Sequence, residues 1–347
     1  MGTILTTGGT GFIGSHTCLV FLNAGFNIVI LDSLLNSSEI ILQRISQLTN
    51  IKNVDVSERL KFYKGDIRDS SLLDQIFREA ELNKKPIFGV MHFAGLKAVG
   101  ESSMIPLDYW EVNVGGTINI LKIMDNYNCH NFVFSSSAAI YGGDNNNPKE
   151  DSIRKPVNPY GKSKLAVENI LNDLYLSSPD KWKVAVLRYF NPIGAHESGL
   201  LGEDPNIKAT NIFPDICRVA SGKKKIFNVY GKDWPTPDGT GIRDYIHVMD
   251  LADGHFEAMK HLIENEHQII YLNLGTGIGT SVLELISAFE ESNSIKVPYK
   301  FSERRIGDVP NLVANNNLAV SKLNWSPKRN INKMCIDSWN WYMKNLN

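Results

Sequence analysis

Through the first half of the chain, short apolar runs alternate with longer stretches whose apolar positions recur at helical spacing. The runs at 3–7, 27–32, 60–65, 87–93, 131–136 and 183–188 predict strands; the stretches at 12–25, 38–49, 70–82, 106–128 and 159–176 predict helices. Near-continuous apolar strands are those buried on both faces, so this alternation predicts an α/β fold. The expected form is a Rossmann-like doubly wound parallel sheet. Pro106 suits the first turn of its helix, where its fixed φ is already helical. After Tyr189 the texture changes. Gly, Pro and Asn become frequent through 191–240, and the elements at 269–274, 281–292, 315–323 and 331–345 lose the alternation. The expected division is a first domain at 1–189, with 243–275 open to packing back on it, and a smaller mixed α/β domain at 190–347.

Composition narrows the partners. With 347 residues, 43% of them hydrophobic, the chain can bury a sizeable core and is not a disordered tail. Lys+Arg 36 against Asp+Glu 37 gives a net charge of -1, without the basic excess that a nucleic-acid groove or an anionic membrane requires. A small-molecule partner is expected, with no nucleic acid and no membrane. Cys18, Cys129, Cys217 and Cys335 are scattered and form no Cys-x-x-Cys pair, so they read as reduced and mostly buried, without a metal site. The chain has no apolar run of about eighteen residues and no signal-peptide pattern, so a cytoplasmic protein is expected. Gly2 fits a myristoylation pattern and Asn36-Ser37-Ser38 a glycosylation acceptor. The first opens a core strand and the second lacks a secretory context, so both read as coincidence. Lys223, Lys224 and Lys225 read as a solvated face.

Gly8-Gly9-Thr10-Gly11-Phe12-Ile13-Gly14 follows the first strand and opens the first helix. In that context Gly8 or Gly9 makes the tight turn, Gly11 lets a pyrophosphate approach the backbone, and Gly14 allows close helix–strand packing. The helix N-terminus offers N–H groups to the phosphates. Asp32 ends the second strand, where a carboxylate accepts from ribose hydroxyls and repels a 2′-phosphate. NAD is therefore expected rather than NADP. Ala94 and Gly95, after the fourth strand, would let the cofactor pass close to the backbone, whereas His92 just before them reads as a satisfied core residue.

Ser135-Ser136-Ser137 ends the fifth strand, and Tyr160 and Lys164 lie four residues apart on the following helix, hence on one face. A free tyrosine, with a pKa near ~10, is a poor base at neutral pH. Lowering it by about three units takes ~4 kcal/mol, which one positive charge at about 4 Å supplies at an effective dielectric near 20. Lys164, helped by an oxidised nicotinamide, is expected to provide that charge. Tyr160 could then take a proton from a sugar hydroxyl oriented by Ser137.

With Gly-x-x-Gly-x-x-Gly at Gly8, Gly11 and Gly14, and Tyr-x-x-x-Lys at Tyr160 and Lys164, the chain resembles the extended short-chain dehydrogenase/reductase family. The stretches HFAGLKAVGES at 92–102, FSSSA at 134–138, LRYFNP at 187–192 and GTGIRDYIHV at 239–248 are similar to its UDP-glucose 4-epimerase (UDP-galactose 4-epimerase) branch. The likeness runs from about residue 2 to residue 341. It implies a tightly held NAD, a homodimer, and interconversion of UDP-glucose and UDP-galactose through a 4-keto intermediate in galactose metabolism. Tyr160 would be the base, Ser137 its partner and Lys164 the ribose contact. By motif match, Phe12, Ile13, Asp32, Asn36, Asp66, Ile67, Phe93, Ala94, Gly95, Lys97, Asn113, Ser135, Tyr189 and Phe190 fall at cofactor positions. Lys97, Ser137, Tyr160, Asn191, Asn211, Tyr230, Arg243, Arg305, Asp308 and Leu312 fall at UDP-sugar positions. Arg243 and Arg305 suit a diphosphate, because a guanidinium makes paired hydrogen bonds to phosphate oxygens.

Leu312 stands where family members restricted to plain hexoses often carry tyrosine, so extra activity on UDP-N-acetylhexosamines is expected from the smaller side chain. Among rivals, a nucleotide-sugar 4,6-dehydratase needs a further acid and base where Ala138 and Ala139 follow Ser137. A UDP-glucuronate-type 4-epimerase shares the same hydride logic. A non-catalytic NAD-binding regulator on the same fold would be expected to lose Tyr160 or Lys164, and both are present.

Overall fold

Strands with side chains buried on both faces need helices above and below them, and the chain supplies these in order. The computed structural model describes residues 2–49, 56–143, 146–203, 211–305 and 307–345. β1 (Thr3–Thr7), α1 (Phe12–Asn23), β2 (Asn27–Asp32), α2 (Ile40–Leu48), β3 (Leu60–Lys64), α3 (Ser70–Leu82) and β4 (Ile87–His92) alternate strictly. α4 (Val99–Ser102) and α5 (Pro106–Tyr109) are short, a π-helical turn occupies Trp110–Gly115, and α6 (Gly116–Asn126) leads to β5 (Asn131–Ser137). α7 (Pro159–Ser177), β6 (Lys183–Tyr189), β7 (Asn191–Ile193), α8 (Ile212–Ala220), β8 (Phe227–Tyr230) and β9 (Ile242–His247) follow. The remainder is α9 (Val248–Glu264), β10 (Gln268–Leu274), β11 (Gly279–Ser281), α10 (Val282–Asn293), β12 (Tyr299–Ser302), β13 (Asn311–Leu312), α11 (Asn317–Leu323) and α12 (Ile331–Lys344).

The chain divides into two compact units. The first comprises the described parts of Met1–Ile140, Pro156–Arg188 and Ala252–Leu272. Its seven-stranded sheet has the order β10-β6-β5-β4-β1-β2-β3. The pairs β2/β3, β1/β2, β1/β4 and β4/β5 are parallel, as the α/β reading requires. Chain order reverses direction between β1 and β4, and in such sheets ligands lie outside the strand carboxyl ends at that reversal. The segments leaving those two ends are Gly8–Gly11 and Phe93–Lys97. Beneath them, Leu5, Val29, Leu31, Phe77, Val90, Phe132 and Val186 share one buried core.

The 106–128 stretch, predicted as one helix, is instead α5, a π turn and α6. Apolar spacing cannot distinguish i→i−4 from i→i−5 hydrogen bonding, and the wider turn carries Asn113 inward.

The second unit comprises the described parts of Tyr141–Lys155, Tyr189–Leu251 and Asn273–Asn347. In it β9 pairs with β11, β13 and β7, and β8 pairs with β12. Ile193, Phe213, Ile216, Tyr245, Leu285, Phe289 and Met334 form its core. The buried Asp244 carboxylate accepts from the N–H groups of Thr276 (2.8 Å), Gly277 (2.9 Å) and Ala314 (3.1 Å), binding the turn after β10 and the segment after β13 to β9. No helix among the described residues is long and apolar enough to cross a membrane.

Candidate active site

At the end of β1 the chain turns through Gly8 at φ 71, a conformation that side chains disfavour. A Cβ there would lie 2.7 Å from the Ala94 nitrogen, and one on Gly14 would lie 2.3 Å from the Gly8 carbonyl oxygen. The glycines thus let β1, α1 and the segment after β4 meet backbone to backbone. Gly11 is the N-cap of α1, and no side chain caps that helix. Its first-turn N–H groups, with the partial positive charge of the helix end, fit a pyrophosphate.

Asp32 reaches this turn from β2. Its Oδ2 accepts from Thr10 N at 3.0 Å, and its Oδ1 accepts from Leu34 N at 2.9 Å and the Ser37 hydroxyl at 3.3 Å. Oδ2 keeps acceptor capacity for a ribose hydroxyl. These residues fit NAD. Thr10 and Ser37, joined to each other at 2.7 Å, escaped the sequence reading, although a hydroxyl at each end of this Asp32 contact was a usable signal.

Asp66, after β3, is bound by the Arg68 guanidinium at 2.8 Å, which holds its carboxyl below the usual range. Ile67 is buried beneath it and fills the space beside Gly116. The Phe12 ring packs edge-on against His16, with Ile13 next to it partly buried. Asn36 and Lys97 are exposed. Phe93 packs against the His255 ring with centroids 4.8 Å apart. His92 is a satisfied core residue: Nδ1 meets the Thr7 hydroxyl at 2.7 Å and Nε2 the Thr117 hydroxyl at 2.8 Å. Burial holds it down to about 3, so it stays neutral.

Asn113 links the segment after β4 to α7. Its Oδ1 accepts from Leu96 N at 2.8 Å, and its Nδ2 donates to Leu96 O at 3.0 Å and to the Ser163 hydroxyl at 3.0 Å. A Cβ on Gly95 would lie 2.9 Å from Asn113 Oδ1 and 3.9 Å from the Lys164 ammonium, so the glycine is what admits both groups.

Asn158 caps α7, accepting from Gly161 N at 2.8 Å, and Pro159 opens its first turn. Tyr160 is thereby fixed at the start of the helix, with Lys164 one turn on. The Lys164 Nζ lies 6.0 Å from the centre of the Tyr160 ring. It donates to the Ser135 carbonyl at 2.7 Å and lies 4.9 Å from the centre of the Phe134 ring. Burial pulls the Lys164 pKa down to about 8, with the Glu168 carboxylate opposing that shift. The Tyr160 phenol is pushed up by burial, and the neighbouring Ser137 hydroxyl pulls it back. The expectation pairs Lys164 with an oxidised nicotinamide as the source of positive charge; in the protein by itself, desolvation is the larger influence on the phenol. The positive nicotinamide of a bound cofactor would have to supply the remainder.

The second unit holds the remaining positions. Tyr189 and Phe190 are buried, and Asn191 begins β7 opposite Tyr245 of β9. Arg243 donates to Asp308 at 3.3 Å, and Leu312 is its register partner across β9 and β13. The Arg305 guanidinium stacks 4.0 Å from the centre of the Tyr230 ring, and Asn211 donates to Glu203.

Residues 5–338 match the family described as GDP-mannose 4,6 dehydratase. The UDP-glucose 4-epimerase of Bacillus subtilis is 46% identical over 345 residues, covering 99% of this chain and 98% of the relative. The chain belongs to the UDP-glucose 4-epimerase family. A UDP-glucose 4-epimerase from Bifidobacterium longum, crystallised with NAD+ and UDP, superposes with a TM-score of 0.91 at 43% identity, covering 99% and 98% of the two chains. A UDP-Glc/GlcNAc 4-epimerase from Campylobacter jejuni superposes at 0.82 with 32% identity, covering 99% and 100%. Epimerase family membership agrees with a site that joins a dinucleotide turn to a Tyr-Lys helix in one unit.

Proposed function

We propose that this chain is an NAD-dependent UDP-hexose 4-epimerase, an isomerase that interconverts UDP-glucose and UDP-galactose through a 4-keto sugar. The observation that carries the reading is the joining of the dinucleotide turn to Tyr160 and Lys164 through Gly95, Asn113 and Ser163. Gly8, Gly11, Gly14, the α1 N-terminus and Asp32 would hold the cofactor, and Lys164 would contact its ribose. A bound NAD would supply reversible hydride acceptance at sugar C4, with return to the opposite face of the keto sugar. Tyr160 accepts the proton of the 4-hydroxyl and gives it back, while Ser137 orients that oxygen. Arg243 and Arg305 grip the UDP diphosphate, so the sugar can rotate about its link while the nucleotide stays fixed.

A homodimer is proposed from the likeness to the epimerase family; Leu107 (79%), Leu176 (66%) and Trp110 (39%) are exposed apolar side chains of the first unit. The free, buried cysteines support a reducing, cytoplasmic setting, and the likeness to UDP-glucose 4-epimerases supports a role in galactose metabolism. The half-buried Leu312 beside Arg243 supports added turnover of UDP-N-acetylhexosamines. Turnover of UDP-GlcNAc at a rate near that of UDP-glucose is expected, and complete inactivity on it would remove that extension.

The test of the main reading is Tyr160→Phe. Turnover falls by about 10²- to 10⁴-fold while NAD remains bound. Wild-type turnover in this variant would mean that another group is the base.

A further inference from the structure

Three successive residues at the end of β5 meet three residues spaced by four on α7. Ser137 acts on the Tyr160 phenol, the Ser135 carbonyl takes the Lys164 ammonium at 2.7 Å, and the Ser136 hydroxyl donates to Glu168 Oε1 at 2.6 Å. The first two contacts involve the groups assigned to the chemistry. The third lies deeper. Glu168 and Arg188 are 0% and 1% exposed and form a forked pair, Nε to Oε1 at 3.0 Å and Nη2 to Oε2 at 2.7 Å. The Arg188 guanidinium also lies 5.0 Å from the centre of the Tyr271 ring.

Core stability does not account for this pair. Burying both charges forfeits their hydration, and apolar side chains of similar volume generally hold a core as well or better. What apolar replacements cannot do is accept the Ser136 hydroxyl or set a negative charge one helical turn from Lys164.

We propose that Glu168, anchored by Arg188, is a positioning residue for the epimerase reaction: through Ser136 it fixes the end of β5 against the Tyr160–Lys164 face of α7. The inference rests on the assignment of Tyr160 and Lys164 above, whose failure would show separately as undiminished turnover of Tyr160→Phe. The groups facing Lys164 are Tyr160 and Glu168 from its own helix, His92 from β4 and the Ser135 carbonyl from β5. Of these, Glu168 is the anion that favours the charged ammonium.

The experiment compares purified holoenzymes carrying Ser136→Ala, Glu168→Gln, or the apolar pair Glu168→Met with Arg188→Met. The quantities measured are bound NAD, melting temperature, kcat, KM for UDP-galactose and the pH profile of kcat. For Ser136→Ala, kcat falls about tenfold, as misplacement of a reacting group produces, with KM and bound NAD unchanged. In Glu168→Gln the high-pH limb of kcat also moves down by about one unit, because Lys164 loses the anion that favours its charged form. The apolar pair melts at or above the wild-type temperature yet keeps the low kcat. Wild-type kcat and pH profile in Ser136→Ala and in the apolar pair overturn the proposal. A kcat loss that only tracks a falling melting temperature also overturns it. Should Glu168→Gln fail to fold, Ser136→Ala decides alone, since it removes a single hydroxyl.

Discussion

The Lys164 ammonium donates to the main-chain carbonyl of Ser135 at 2.7 Å, so the charge of α7 is tied to β5 two residues before its end. A lysine 6% exposed and held to about 8 by burial is costly to keep charged, and this carbonyl with the Glu168 carboxylate offsets part of that cost. Lys164→Met should keep the fold. It should lower turnover by about 10²- to 10⁴-fold, the range for loss of acid–base assistance. It should also weaken NAD retention, read as cofactor lost during gel filtration. Unchanged turnover would leave the ammonium without a role.

Gly14→Ala tests the dinucleotide turn. The added methyl carbon would sit 2.3 Å from the Gly8 carbonyl oxygen, so α1 must move away from the turn. A destabilisation of about 1–3 kcal/mol is expected from such overpacking, together with loss of bound NAD. Denaturant unfolding and the absorbance of released cofactor measure the two effects.

His92 predicts a pH dependence of stability. Its folded-state value of about 3 lies below its ordinary 6.5, so between those values the unfolded chain binds a proton that the native chain refuses. Stability from this group is complete above pH 6.5 and falls as pH drops toward 3, by about 1.4 kcal/mol per unit. Unfolding free energies at pH 7 and pH 5 should therefore differ less in His92→Asn than in the wild type. That variant should also be less stable at pH 7, having lost the bridge between Thr7 and Thr117.

The first unit was legible because its central strands are buried on both faces and separated by helices of ordinary length. β1, for instance, has five buried residues out of five. In the second unit β7 and β11 are three residues long and β13 is two, too short for an alternation to register, and they went unread. Spacing on α7 correctly placed Tyr160 and Lys164 on one face. It could not reveal that burial raises the phenol, since desolvation depends on what the fold packs around it. Glu168 was missed for a related reason. Its signal, a carboxylate four residues after Lys164, is that of any surface helix pair until the structure shows it buried with Arg188.

The proposed epimerase carries its own redox partner and uses it without net consumption. Purified protein incubated with UDP-galactose and no added cofactor should form UDP-glucose until both sugars reach equilibrium, with NAD released only on denaturation. Absence of any UDP-glucose from protein shown to contain stoichiometric NAD would rule out the proposed epimerisation.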